Sequence, residues 1–287
     1  QVGLIQNLWA NGRRNALTPL RCWKSAGRWF YVLSHKVCQA VRDLEVRRAV
    51  ARNPKTPLDL LAQLAEDKKI RVRWGVASNP NTPLNILTRL AEDEDSYVRR
   101  DVASNPKTPL DLLNQLVEDE DSDVRLAVLS NPNLPLDVLA QLAEDKKIRV
   151  RWRVASNPNT PLDLLAQLVE DEDSDVRLAV ARNPKTPLDL LAQLVEDEDS
   201  DVRLAVASNP KTPLDLLAQL AKDSDRNVIL SLSLNDNLSK ELIRNLADIR
   251  SLDPVTQIEV LNRLVLHPNA DLEFKDTLLY REFNLSF

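Results

Sequence analysis

Residues 173–198 read DSDVRLAVARNPKTPLDLLAQLVEDE, and this 26-residue stretch decides the architecture. Its Asn183-Pro184 pair recurs as Asn-Pro at 53, 79, 105, 131, 157 and 209, and every gap is 26 residues. A second proline follows each pair three residues later, so 14 of the 17 prolines sit in one frame. In register, the blocks begin at Asp43, Lys69, Asp95, Asp121, Lys147, Asp173 and Asp199. A degenerate eighth block begins at Asp225 and keeps Val228 and Asn235 without either proline. Constant spacing over seven blocks identifies a repeat architecture.

Each block predicts two short helices. In the first block, the first helix runs from about Glu45 to Arg52, with Val46, Ala49 and Val50 apolar. Pro54 drives Asn53 out of helical geometry and ends it. The second helix starts with Thr56 as N-cap, Pro57 at the first helical position and Asp59 facing the positive end, and runs to about Glu66. Leu58, Leu61 and Ala65 form its apolar stripe, widened by Leu60 and Leu64. No strand pattern of useful length stands out. A two-helix unit of this size cannot bury its stripe alone, so the units must stack into an all-α solenoid of seven to eight repeats.

The pattern V-R-x-A-V-A-x-N-P-x-T-P-x-x-L-L, clearest at Val176–Leu191 and Val202–Leu217, resembles the leucine-rich repeat variant family. The likeness covers about residues 43–224, and the Asp-x-x-Val-Arg opening is similar to HEAT-type repeats. The resemblance implies a right-handed superhelix and an interaction role. One architecture of the family adds an N-terminal iron–sulfur module with clustered cysteines. Cys22 and Cys38 are the only thiols here, so no such cluster, and no other cofactor, is expected.

Composition excludes much else. Four Gly leave no Gly-rich phosphate loop, and His35 and His267 are too far apart in sequence to suggest a histidine metal site. No apolar run approaches the ~18 residues of a membrane span. Free thiols and no evident secretion signal point to a reducing compartment, the cytoplasm. A repeat scaffold of this kind is expected to be monomeric and to bind a protein partner along its surface. A chain without Met is expected to be processed or part of a longer one.

The net charge of −5 is uneven. Residues 1–42 carry seven Lys/Arg and no acid, whereas residues 43–287 carry 31 Lys/Arg against 43 Asp/Glu. Residues 1–42 therefore read as a basic, aromatic-rich cap or leader. Asn15 to Leu20 echoes the repeat as a degenerate helix start. The array spans 43–250, its last block 225–250. Residues 251–287 read as capping helices, with Asp253-Pro254 opening a helix and His267-Pro268 closing it.

Arg47, Arg73, Arg99, Arg125, Arg151, Arg177 and Arg203 hold one register. They form a basic ridge for phosphates, or a ladder paired with acids three to four residues earlier, such as Asp95 or Asp121; pairing is the favoured reading. Asn53, Asn79, Asn105, Asn131, Asn157, Asn183 and Asn209 read as turn residues that satisfy backbone groups. The acidic runs, such as Glu170–Asp173, lack the spaced ligands of a calcium loop and read as solvated turns that favour the next helix.

Two blocks break the acidic rule. Lys68, Lys69, Arg71 and Trp74 recur 78 residues later as Lys146, Lys147, Arg149 and Trp152, followed by Arg153. Trp and Arg are enriched in binding hot spots, so these residues are the candidate partner-binding patches. Duplication of a three-repeat unit is the plainer source of the pair. No catalytic residues are expected, because nearly every polar residue of the array is repeated. Tyr97 and Asp101 are singular and alone match an Asp-with-aromatic site of the kind used by some HEAT-like DNA glycosylases. That reading and nucleic-acid binding by the repeated cations are both disfavoured by the acidic array.

Overall fold

The computed structural model describes residues 22–25, 28–31, 43–248 and 252–277. The chain divides into two compact units, Gln1–Val138 and Leu139–Phe287. The first contains helices α1 (Leu44–Arg52), α2 (Leu58–Leu64), α3 (Ile70–Ala77), α4 (Leu84–Leu90), α5 (Ser96–Ala103), α6 (Leu110–Leu116) and α7 (Ser122–Val128). The division falls inside α8 (Leu136–Ala143). The second unit continues with α9 (Ile148–Ala155), α10 (Leu162–Leu168), α11 (Ser174–Arg182), α12 (Leu188–Leu194), α13 (Ser200–Ser208) and α14 (Leu214–Leu220). It ends with α15 (Arg226–Leu232), α16 (Lys240–Ala247) and α17 (Pro254–Leu266). The array is therefore an α-solenoid of helix pairs.

Local chemistry sets both ends of each helix. Asp95, Asp121, Asp173, Asp199 and Asp225 accept the backbone N–H two residues on and cap the first helix of their repeats. At the other end Pro184 holds Asn183 extended, at φ −69° and ψ 130°, and α11 stops there. First helices stack on first helices: α1, α3, α5 and α7 in the first unit, and α9, α11, α13 and α15 in the second. Val176, Val180 and Ala181 of α11 and Leu191 of α12 are fully buried. Each such Val or Leu stabilises the stack by about 1.5–3 kcal/mol, and none could be buried by an isolated pair.

Asp253 opens α17, accepting from the N–H groups of Val255 and Thr256, with Pro254 in the first turn. His267 closes it. That histidine also takes over the repeat asparagine's place. Its Nε2 lies 2.9 Å from the Asn235 carbonyl, and its Nδ1 accepts from the Asn269 N–H at 3.1 Å. Those two contacts assign the proton to Nε2, which donates to Asn235.

Several expectations are corrected. Two strands, β1 (Cys22–Ser25) and β2 (Arg28–Tyr31), pair antiparallel with Cys22 opposite Tyr31, where no strand was expected. Four residues are too short for hydrophobic alternation to announce a strand. The echo at Asn15–Leu20 lies outside the described residues, as does most of the 1–42 segment. The second helix begins at Leu58, after Pro57, and ends at Leu64 rather than Glu66.

Leu58 is 57% exposed, so it does not belong to the buried stripe, which runs through Leu61, Leu64 and Ala65. Thr56 is not an N-cap acceptor. Its hydroxyl instead donates to the Val50 carbonyl, 2.5 Å away, and so satisfies the end of the preceding helix. Pro57 is itself the N-cap and makes no side-chain cap hydrogen bond.

Candidate partner-binding face

The repeated polar residues are consumed inside the solenoid. Arg151 donates through Nε and Nη2 to both carboxylate oxygens of Asp171, at 2.7 and 2.9 Å, and through Nη1 to the Asp145 carbonyl at 2.8 Å. Arg73 with Asp93, Arg99 with Asp119, Arg177 with Asp197 and Arg203 with Asp223 repeat the fork. Arg47 holds Asp67 in the same way, and Arg125 donates to the carbonyls of Asp119 and Glu120.

The acid is 20 residues downstream, in the turn after the second helix, and not three to four residues upstream as expected. Asp95 and Asp121 instead cap helices. The hydrogen bond to Asp171 raises the Arg151 pKa against the opposing effect of burial. Burial pushes Asp171 up, but the Arg151 guanidinium and the Asp173 N–H outweigh it and hold the carboxyl below its ordinary value.

The asparagines reach farther than their own turn. Asn79 donates through Nδ2 to the Ala51 and Asn53 carbonyls of the preceding repeat, at 2.7 and 2.8 Å, while its Oδ1 accepts from the Asn81 N–H. Asn105, Asn131 and Asn183 make the same two inter-repeat bonds, Asn209 reaches the Ala181 carbonyl, and Asn235 carries both into the degenerate block. Asn53 and Asn157 hold their own turns by accepting from Lys55 and Asn159.

A different set of positions is only partly exposed: Gly75 and Ala179 are buried, Trp74, Ser78, Ser156 and Leu178 half-buried, and Arg71, Arg149, Trp152, Arg153, Asp175 and Arg182 exposed. Helical spacing puts residues 71, 74, 75 and 78 of α3 on one face. The same register in α9 carries Arg149, Trp152, Arg153 and Ser156, and in α11 Asp175, Leu178, Ala179 and Arg182. The repeats differ at each of these positions. Lys68, Lys69 and Arg71 are exposed, and so are Lys146, Lys147, Arg149 and Arg153. Lys69 and Lys147 replace the capping Asp, and neither α3 nor α9 has a side-chain cap.

The two tryptophans differ in setting. Trp74 is half-buried, with the Arg52 guanidinium 5.0 Å over its ring and its indole N–H buried without an acceptor. A Cβ on Gly75 would meet the Ala51 Cβ at 2.9 Å, so only glycine admits this close approach of α1 and α3. Trp152 is 38% exposed and lines a cavity of about 110 Å³. Asp101 accepts a short hydrogen bond from the Ser78 hydroxyl and pairs with Arg100 at 3.2 Å, while Arg100 lies 5.0 Å over the exposed Tyr97 ring. Among the described residues, no helix is long and apolar enough to cross a membrane.

Comparisons with known proteins agree with this geometry. A family model described as the leucine-rich repeat variant domain matches residues 149–207. A second, leucine rich repeat variant, matches 44–68, 123–146 and 201–225. A solved structure described as a leucine-rich repeat variant with a novel repetitive protein structural motif is 28% identical, with a TM-score of 0.63. The similarity covers 86% of this chain and 100% of that one. No curated protein matches.

Proposed function

Starting from a repeat array that belongs to the leucine-rich repeat variant family, we propose a non-enzymatic scaffold that binds another protein along the outward face of its first helices. One observation carries this reading. Repeated cations are held by carboxylates or carbonyls of their own chain, whereas Arg71, Arg153 and Arg182 are exposed and lack a carboxylate partner among the described residues. Trp and Arg are among the residue types most enriched in binding hot spots. Lys69 and Lys147 add to it, because each forgoes a helix cap that the same register supplies elsewhere.

The nucleic-acid alternative rests on the repeated arginines, and these are already engaged. The catalytic alternative rests on Asp101, whose oxygens are taken up by Ser78 and Arg100.

The repeats supply substitutions that test the scaffold without disturbing the fold. Arg71→Asp, Trp74→Leu, Trp152→Leu and Arg153→Ala each install the residue that other repeats carry at that register. The combined variant should melt like the parent and lose about tenfold or more of each specifically captured protein. An unchanged capture profile overturns the reading, as does a gel shift in which nucleic acid binds tightly near ~50 mM salt and weakens steeply above it.

A further inference from the structure

The cavity between α9 and α11 has a shape and a charge that specify what would fill it. Trp152, Leu178, Ala179 and Pro184 make its apolar wall, and Ser156 and Arg182 form a polar edge. Asn183 also lines it, but its amide is committed to Ala155, Asn157 and the Lys185 N–H. A cavity of about 150 Å³ holds a benzene ring. The volume here, about 110 Å³, suits a leucine or isoleucine side chain. Water gains little on such a wall, so an aliphatic group that displaces it is favoured.

The charge around the opening is positive. Arg182 is exposed at the edge, and Arg153 sits beside Trp152 on the same face of α9. Lys185 follows Pro184 and is exposed. None of the three has a carboxylate partner among the described residues. Arg149 stands one turn earlier on α9 with its own partner, and Asp175, on the first turn of α11, is the opposing acid. The excess of cations around an aliphatic slot selects a partner with carboxylates on both sides of a branched apolar residue.

We propose that this cavity is the anchor site for an acidic partner segment, which inserts one leucine or isoleucine against Trp152 while Arg153 and Arg182 pair with the flanking carboxylates. This deepens the scaffold reading and rests on it.

The test uses the full chain and fluorescein-labelled peptides in an anisotropy titration at low salt. The probe is Asp-Glu-Leu-Asp-Glu. Controls replace its Leu by Ala or its acids by Lys, and an oligothymidine serves as the nucleic-acid probe. The Leu peptide should bind, lose about tenfold or more with Ala at its centre, and not bind with Lys flanks. Arg182→Ser and Trp152→Leu install the residues of neighbouring repeats at those registers, so the melting temperature should hold while affinity drops about tenfold. Failure of the Leu peptide to bind overturns the proposal, as does equal binding by the Ala peptide, indifference to both variants or preferential binding of the oligothymidine.

Protein capture separates the two levels. If neither variant alters the captured partner but Arg71→Asp with Trp74→Leu does, the cavity assignment falls and the scaffold reading stands. If no face variant changes capture, both fall.

Discussion

Asn183 donates through its side-chain amide to the carbonyl of Ala155, 28 residues earlier, at 2.6 Å. The bond ties the end of one first helix to the end of the one before it, where carbonyls lose their helical partners. The same amide reaches the Asn157 carbonyl at 3.0 Å, and Oδ1 receives the Lys185 N–H at 2.9 Å. One buried side chain thus satisfies three backbone groups across two repeats. Asn183→Ala should destabilise the second unit by about 2–4 kcal/mol, since each buried group left unsatisfied costs about 1–3 kcal/mol. Urea unfolding would read this as a lower midpoint. Hydrogen exchange should rise first at the ends of α9 and α11.

The buried threonines predict a second effect. Thr186 donates to the Val180 carbonyl at 2.5 Å, and Thr160 to that of Val154 at 2.6 Å. Thr186→Val keeps the shape and removes the bond, and should cost about 0.5–1.5 kcal/mol. In the fourth repeat Leu134 stands at this register, half-exposed where the threonines are buried. Leu134→Thr should add a bond to the Val128 carbonyl and raise the melting temperature. A lower value would show that the Leu134 packing outweighs the missing hydroxyl.

These threonines also mark the limit of what the sequence reveals. The 26-residue period, the two helices per block and the stop at Asn-Pro are local properties, set by proline geometry and apolar spacing, and they are legible residue by residue. Thr-Pro-Leu-Asp resembles a helix N-terminus, yet whether the hydroxyl turns forward or back depends on the preceding helix packed beside it. Arg151 and Asp171 meet only because the chain folds back between them, so 20 residues of separation hide the pair. The unequal surroundings of Trp74 and Trp152 follow from Arg52, Leu178 and Arg182 on adjacent repeats, not from the two nearly identical blocks.

The Arg–Asp forks predict a pH dependence. Asp67, Asp171 and Asp223 are held below the ordinary carboxyl value, with burial opposing and their arginines and turn amides prevailing. A carboxyl depressed in the folded state contributes stability that is present above its unfolded pKa, near ~3.9, and lost as pH falls toward the folded value. The melting temperature should hold from neutral pH to about 5 and decline steeply below about 4. Asp171→Asn leaves the buried Arg151 guanidinium with only the exposed Glu172 carboxylate, 3.5 Å away, as a charged hydrogen-bond partner. It should cost about 3 kcal/mol at neutral pH and flatten part of the acid decline. A profile with the same slope in the variant would remove this fork as a source of the effect.

Lys147 offers the clearest separation of stability from function. In α11 and α13 the corresponding Asp accepts an N–H of the first turn, while Lys147 accepts none and places a cation at the positive end of α9. Lys147→Asp should therefore stabilise the second unit by about 0.5–2 kcal/mol through the restored cap. Stability alone does not account for a lysine at this position, and the scaffold reading assigns it a contact at the surface. On the scaffold reading the same variant should lose affinity for an acidic partner while it melts higher. If stability rises and binding is untouched, Lys147 is a remnant of repeat duplication and the partner contact lies farther along α9, at Trp152 and Arg153.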